Sequence, residues 1–407
     1  MSDSGKRKIF TVFAGRRNNI DIQKKYLDKA LEMGILDQVH YWNLTRNKSD
    51  EDYLRQISNL SRSSSTNFNY FQIFTSIKSN SFELNVKASN DIHIKISNGL
   101  NDYEIVLGGW SNTKSVVREN GNEIFSVRTI GICNPNKYIS IRISCSDNKL
   151  YVWVDSDNLI TVWIDTFVVK NIYFKTAHGS VGMLKYEQVQ NNGYYLMDTC
   201  VKNWSNYYQW YVDREYESDI IFKSDDDVIF FDLNKFPKYI DWIDSNDYDL
   251  VFANIINNGV SAYFQQNKLD LIPRSLMNLE YPVGGECGTL WESGTKAETL
   301  HNYFISNYLK FISSDFGGKF YKIDTRFSIN FFGYKGKNWH KIKNLGLGDD
   351  EYNLTVEGVK KKGFNNVFYA DFIVSHLSFW KQEATGINSQ ALRERYDKLA
   401  DEFVGGL

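Results

Sequence analysis

The stretch Ile220-Ile221-Phe222-Lys223-Ser224-Asp225-Asp226-Asp227-Val228-Ile229-Phe230-Phe231-Asp232 sets an apolar run, three consecutive carboxylates and a second apolar run in series. A near-continuous apolar run marks a strand covered on both faces, as in parallel sheets. Its end in acids puts three carboxylates at the strand's carboxyl edge, where open α/β sheets bind ligands. If the extended conformation continues, alternation sends Asp225 and Asp227 to one side and Asp226 to the other. Two carboxylates on one side suit a hard divalent cation that phosphates can share. The plainer reading is a solvated acidic turn between two strands.

Upstream, Lys8 to Ala14 is a β-branched and aromatic run that breaks into Gly15-Arg16-Arg17-Asn18-Asn19, a strand ending in a basic loop. Ile20 to Met33 carries Ile22, Tyr26, Leu27, Ala30 and Leu31 at helical spacing, and Val39 to Leu44 returns as a strand. Strand, helix, strand opens a parallel α/β domain with a right-handed crossover. The polar run Ser61 to Asn67 reads as a linker. From Phe71 to about Val189 short alternating segments such as 82–87, 93–96, 103–107, 138–143 and 150–154 follow one another between turn residues. That pattern predicts an antiparallel β-sandwich. Mixed patterning resumes near Asn191: a helix over 194–216, the acidic strand, a helix over 235–244 and a strand over 250–256. The expected organisation is an α/β domain in two parts, residues 1–62 and 191–407, interrupted by an all-β insertion at 63–190.

Composition bounds the function. Hydrophobic residues at 42% and charged residues at 24% are ordinary for a globular chain, and a net charge of −2 gives no footing for a broadly basic nucleic-acid surface. Cys133, Cys145, Cys200 and Cys287 have no zinc-type spacing. The polar, basic opening is unlike a signal peptide, and no apolar run reaches the roughly 18 residues of a membrane span. The expectation is a soluble, cytoplasmic protein in a reducing compartment. Aromatics at 15% favour flat, partly polar surfaces such as sugar sites. Trp204, Trp210 and Trp291 are candidates to stack on sugar rings, although tryptophan at helical spacing also fills cores.

With these pieces in order, the α/β part resembles nucleotide-sugar glycosyltransferases of the GT-A fold, a Rossmann-like mixed sheet. Val12-Phe13-Ala14-Gly15-Arg16-Arg17 is similar to the first-strand nucleotide loop, and Lys223-Ser224-Asp225-Asp226-Asp227-Val228 to the acidic DXD segment. Gly284-Gly285-Glu286 falls where an acceptor loop would, and Asp349-Asp350-Glu351 and Ser375-His376-Leu377 resemble late acidic and histidine elements. The inserted block resembles the farnesoic acid O-methyltransferase-like domain, through Asn90-Asp91-Ile92-His93-Ile94 and Tyr103 to Arg118, which includes Gly108-Gly109-Trp110-Ser111-Asn112. No glycine-rich strand-to-helix loop for a methyl donor occurs in it, so the block reads as a noncatalytic β-sandwich, a glycan binder or a spacer.

The resemblance implies a Mn²⁺ or Mg²⁺ ion held by Asp225, Asp227 and His376, imidazole suiting Mn²⁺ better. It implies a nucleoside-diphosphate sugar contacted by Phe13, Gly15, Arg16, Arg17, Lys202, Lys223, Asp225 and Asp226, the forked guanidinium suiting phosphate. Gly284, Gly285 and Glu286 would meet a glycan or glycoprotein acceptor. For inverting transfer Asp350, then Glu351, would serve as base; the same acids also suit a helix N-terminus. A scaffold or glycan-binding protein on a decayed transferase domain is the principal alternative, followed by a glycoside hydrolase with paired carboxylates and a methyltransferase.

Overall fold

The computed structural model describes residues 6–58, 60–65, 69–75, 80–180, 182–187, 193–199, 204–212, 214–341 and 348–407. The chain divides into two units, Met1–Tyr53 with Trp204–Leu407, and Leu54–Asn203.

In the first unit β1 (Lys8–Ala14), α1 (Arg17–Glu32) and β2 (Gln38–Asn43) form the expected parallel crossover, with Phe10 beside Val39 and Phe13 beside Trp42. The acidic stretch supplies β3 (Ile220–Asp225), parallel to β1, and β4 (Val228–Phe231). Next come α2 (Phe236–Ser245), β5 (Val251–Ile256), α3 (Gly259–Asn267), α4 (Gly294–Ser313), β6 (Phe320–Ile323), β7 (Phe331–Lys335), β8 (Asn366–His376) and α5 (Ser389–Gly405). The strands run β2-β1-β3-β7-β5-β8-β4, with β6 also paired to β8. Pairings of β3 with β7, β7 with β5, and β4 with β8 are antiparallel, and β5 with β8 is parallel, so the sheet is mixed.

Apolar positions on both faces explain the buried strands. β8 is buried throughout its length. Phe10, Phe222, Phe231, Phe236, Phe331 and Phe372 form one aromatic core, for example Phe10 to Phe231 at 5.4 Å and Phe236 to Phe372 at 4.9 Å. Each such ring contributes roughly 1.5–3 kcal/mol by burial. Tyr26 of α1 packs edge-on to Phe230 at 5.7 Å and meets Phe403 of α5 at 6.1 Å, fixing both helices on one face of β4.

The second unit is a β-sandwich. One sheet orders Phe71–Thr75, Asn171–Thr176, Ile92–Ser97, Asp102–Gly108, Lys114–Glu119 and Asn122–Arg128. The other orders Asp157–Trp163, Lys149–Val154, Ile139–Ser146, Ser81–Lys87, Gly182–Glu187, Leu60–Ser65 and Tyr194–Thr199. Alternate Ile, Val and Leu residues, among them Ile94, Ile105, Leu84, Ile141 and Val152, make its core.

Two local expectations fail. Leu60–Ser65 is a strand antiparallel to Gly182–Glu187, not a linker: backbone ladder bonds do not require apolar side chains. The helix over 194–216 is instead a strand, Tyr194–Thr199, then the short helix Ser205–Trp210 and a 3₁₀ turn at Arg214–Tyr216. The aromatic spacing counted for that helix spans three elements, and tyrosines at 194 and 195 favour an extended chain. Because Leu60–Ser65 and Tyr194–Thr199 pair in parallel, both belong to the sandwich unit.

Candidate functional site

The acidic trio stands at the carboxyl edge of β1 and β3, but the chain turns at Asp226-Asp227 and breaks the alternation. Asp226 is almost wholly buried and faces the loop after β1. Its Oδ2 accepts from the backbone N–H of Gly15 (2.8 Å) and of Arg16 (2.6 Å), and its Oδ1 from Arg16 Nε (3.0 Å). Arg16 Nη2 bonds Asp226 Oδ1 and reaches Asp227 Oδ2 at 2.7 Å. A Cβ at Gly15 would come within 3.2 Å of Asp226 Oδ2, so glycine lets this backbone close on the carboxylate. Asp226 therefore anchors the loop, both its carboxylate oxygens being engaged by Gly15 and Arg16.

Asp225 is held from beneath. Lys223 Nζ, buried at 1% exposure, donates to Asp225 Oδ1 (2.5 Å) and to Ile329 O (2.7 Å), and Asn330 Nδ2 donates to Asp225 Oδ2 (2.9 Å). Lys223 is thus a buried counter-charge, contrary to a donor-contacting role. Among the described residues Asp227 Oδ1 has no hydrogen-bond partner, lying 3.4 Å from His376 Nε2, and the buried His376 Nδ1 has none either. Burial would raise the Asp227 carboxyl, but His376 and Arg16 outweigh it and hold the group well below the usual range. Asp225 goes the other way, pushed up by burial and by neighbouring Asp227 against the pull of Lys223.

The donor set does not fit a divalent ion as it stands. Asp225 is spent on Lys223 and Asn330, Arg16 occupies Asp227 Oδ2, and among the described residues no group of three His, Cys, Asp or Glu side chains is arranged to hold a metal ion. Of the expected Asp225–Asp227–His376 ligand set, Asp227 and His376 face each other, while the Asp225 carboxylate is turned to Lys223 and Asn330.

A cleft of about 300 Å³ opens above the trio, lined by Phe13, Gly15, Arg16, Leu44, Arg46 and the three aspartates. The Phe13 ring stands edge-on to Tyr207 at 5.0 Å, with Lys223 Nζ 4.6 Å from its centroid. Arg17 turns elsewhere, over the Tyr53 ring at 4.5 Å and toward Asp21 at 3.5 Å, because α1 begins there. Lys202 lies outside the described residues.

A second cleft of about 350 Å³ in the same unit gathers the late motifs. Gly285, Glu286, Arg326, Ser328, Glu351, Trp291 and Trp380 line it. Arg326 is its hub, donating from Nε to Glu351 Oε1 (2.6 Å), with ion pairs to Glu286 (3.2 Å) and Asp349 (2.7 Å). Gly284 O accepts from Arg326 N (3.0 Å), and a Cβ at Gly285 (φ 80°) would stand 1.9 Å from Arg326 O. The acceptor-loop glycines are thus explained by close backbone approach. Asp349 caps the turn Asp350–Tyr352 through Tyr352 N. Asp350 accepts from the buried Tyr208 hydroxyl (2.7 Å), whereas Glu351 faces the cleft. Burial pushes the Glu351 carboxyl above its ordinary value, against Arg326. Trp291 and Trp380 meet edge-on at 5.5 Å, and Trp380 is 70% exposed. Trp210 is core and Trp204 stacks edge-on to Tyr208.

The clefts are linked. Ser328 Oγ, in the second, donates to Asn330 Oδ1, and Asn330 holds Asp225 of the first. His376 beside Asp227 also packs on Phe379, a wall of the second cleft, at 4.4 Å. Sequence reasoning missed Arg46, Arg326, Asn330 and Trp380. Each lies between motifs, and only the Gly-Gly-Glu and Asp-Asp-Glu runs around Arg326 hinted at a cationic hub.

Residues 64–189 match the family model described as farnesoic acid 0-methyl transferase, so the resemblance stands for the inserted sandwich. A search of curated proteins gives no match. Similar solved structures include a Bacillus licheniformis beta-glucanase (13% identity, 31% of this chain, 78% of that chain, TM-score 0.25). A Caenorhabditis elegans galectin (12%, 30% and 94%, TM-score 0.24) and sheep galectin-11 (9%, 28% and 96%, TM-score 0.21) are others. At these scores neither fold nor ligand follows from the likeness. Among the described residues no helix is long and apolar enough to cross a membrane.

Proposed function

We propose that the first unit is a GT-A-like glycosyltransferase that moves a sugar from a nucleoside-diphosphate donor to a hydroxyl of a glycan or glycoprotein, with inversion. The observation that carries it is the pair of linked clefts, one basic and acidic at the carboxyl edge of parallel strands, one walled by two tryptophans. Open α/β sheets bind ligands at that edge. Phe13 offers a face to the nucleotide base, and the Arg16 and Arg46 guanidiniums, both on the wall, suit the diphosphate. Trp291 and Trp380 offer stacking faces to an acceptor sugar. Glu351, raised by burial, takes the proton from its hydroxyl, and Arg326 orients that carboxylate. A requirement for Mn²⁺ or Mg²⁺ would need Arg16 to leave Asp227, so no step is routed through a metal.

The test is donor hydrolysis across a nucleotide-sugar panel, with Mn²⁺, Mg²⁺ or chelator, on wild type and Asp227→Ala. Release of one nucleotide, lost in the variant, supports transfer, and the chelator arm decides metal dependence. No hydrolysis and no binding of any donor would reject it. A second reading is a noncatalytic glycan-binding protein on a transferase-like frame; the Arg16 guanidinium occupying the acidic trio favours it.

A further inference from the structure

Gly108-Gly109-Trp110-Ser111-Asn112, singled out in the sequence, has no part in the first unit's clefts. Trp110 (φ 51°, ψ 56°), Ser111 (φ 60°, ψ 43°) and Asn112 (φ 63°) follow one another in the left-handed region. Each such non-glycine residue is sterically strained, and left-handed runs are rarely tolerated. The surroundings enforce this one. Asn112 Nδ2 donates to Cys133 O (2.9 Å), its Oδ1 accepts from Cys133 N (3.0 Å), and its carbonyl accepts from Gly131 N (2.8 Å). Gly108, at φ 61°, leaves no room for a Cβ, which would lie 2.3 Å from Cys133 Sγ.

The turn presents a large ring to solvent: Trp110 is 50% exposed and forms one wall of a pocket of about 570 Å³, within the roughly 300–1,000 Å³ of small-ligand sites. Asp91 (φ 50°) and His178 (φ 51°), also strained, line it with Ser111. Strain of this kind collects at ligand clamps. A second, independent feature is His93, 93% buried by its 7% exposure and part of the pocket wall. Its Nδ1 lies 3.0 Å from Glu104 Oε1. Burial would raise Glu104, but hydrogen bonds from His93, Tyr70 and Arg118 outweigh that and hold it low. An ionised carboxylate only accepts, so Nδ1 carries the proton that it donates to Glu104. Among the described residues Nε2 has no hydrogen-bond partner, the Asp91 Oδ1 atom standing 4.0 Å away.

The ligand class follows from charge. Arg118 and Lys175, the two cations on the wall, are paired with Glu104 at 2.7 Å and 3.9 Å, and Lys114, above the Trp110 ring at 4.7 Å, with Glu123 at 2.9 Å. An anion would have to break these pairs, whereas hydroxyl groups both donate and accept among paired charges. We infer that the Trp110 pocket of the sandwich is a binding site for a neutral saccharide. One ring stacks on Trp110, and its hydroxyls meet Asn90, Asp91 and His93 Nε2. The inference is independent of any transfer chemistry in the first unit.

The full chain is passed over an array of immobilised neutral and acidic oligosaccharides, and each retained sugar is titrated calorimetrically. A neutral sugar is expected to bind. Trp110→Gly relieves the strain and removes the platform, so affinity falls about tenfold or more while the melting temperature holds or rises. Trp163→Ala, on the other sheet and 71% exposed, keeps wild-type affinity. If Trp110→Gly fails to fold, Trp110→Asn, which tolerates the left-handed region, must show the same loss. Retention of no neutral sugar, retention of acidic sugars alone, or Trp110 variants within about twofold of wild type would overturn the inference.

Discussion

At the acidic trio the backbone is ordinary and the charges are under tension; at the Trp110 pocket the charges are paired and the backbone is under tension. No residue of Asp225–Asp227 sits at positive φ, yet three carboxylates share two cations and a histidine. Around Trp110 the ion pairs are closed and four strained residues line the wall. A cleft poised by charge should respond to charge-neutralising substitutions, ionic ligands and pH. A pocket poised by backbone strain should respond to glycine and ignore them.

Consequences run from large to small. Glu351→Gln removes the proposed base and should lower transfer roughly 10²–10⁴-fold while donor binding persists; unchanged turnover in a steady-state assay would remove Glu351 from catalysis. Asp226→Ala leaves two backbone N–H groups and Arg16 short of their partner. It should cost about 2–4 kcal/mol in urea unfolding, less than a fully buried pair because Arg16 is half exposed.

Asp232 extends the charge side of the comparison. It is fully buried, neither carboxylate oxygen has a hydrogen-bond partner among the described residues, and burial pushes it up to about 7 against Lys235. The unfolded carboxyl titrates near 4, so between about pH 4 and 7 the folded state keeps a proton that the unfolded state releases. Stability then falls as pH rises through that window. Asp232→Asn should be more stable than wild type at pH 8, by up to about 4 kcal/mol, and should converge with it below about pH 4. A constant difference across pH would contradict the assignment. Least of all, Lys114→Met trims an exposed pair above Trp110 and should shift stability by under about 1 kcal/mol; a larger loss in thermal melts would mean that charge, too, holds the turn.

Much of the frame was legible because period and punctuation speak locally. The parallel β1–α1–β2 opening, the acidic strand edge, the β-rich insertion and the acidic helix start at Asp350–Glu351 all came from nearest neighbours in sequence. The helix over 194–216 was misread because aromatic residues at threes and fours also line a strand followed by a short helix. The alternation of the trio failed because a turn after Asp225 costs little once Asp226 can cap the Gly15–Arg16 amides. Arg326 and Asn330 were invisible for a different reason: their roles depend on partners such as Glu286, 40 residues away, and Asp225, 105 residues away. Trp110 was visible as part of a motif, but its left-handed turn is set by Cys133 and Gly131, on a later loop.

The donor cleft is tested most directly by calorimetric titration of the full chain with uridine, guanosine, cytidine, adenosine and thymidine diphosphates, with and without Mn²⁺, alongside Arg46→Ala. The two-cleft account predicts that one nucleotide binds the wild type and that Arg46→Ala binds it about tenfold or more weakly. If no diphosphate binds in either condition, or Arg46→Ala binds equally well, the cleft above Asp225–Asp227 is not a donor site.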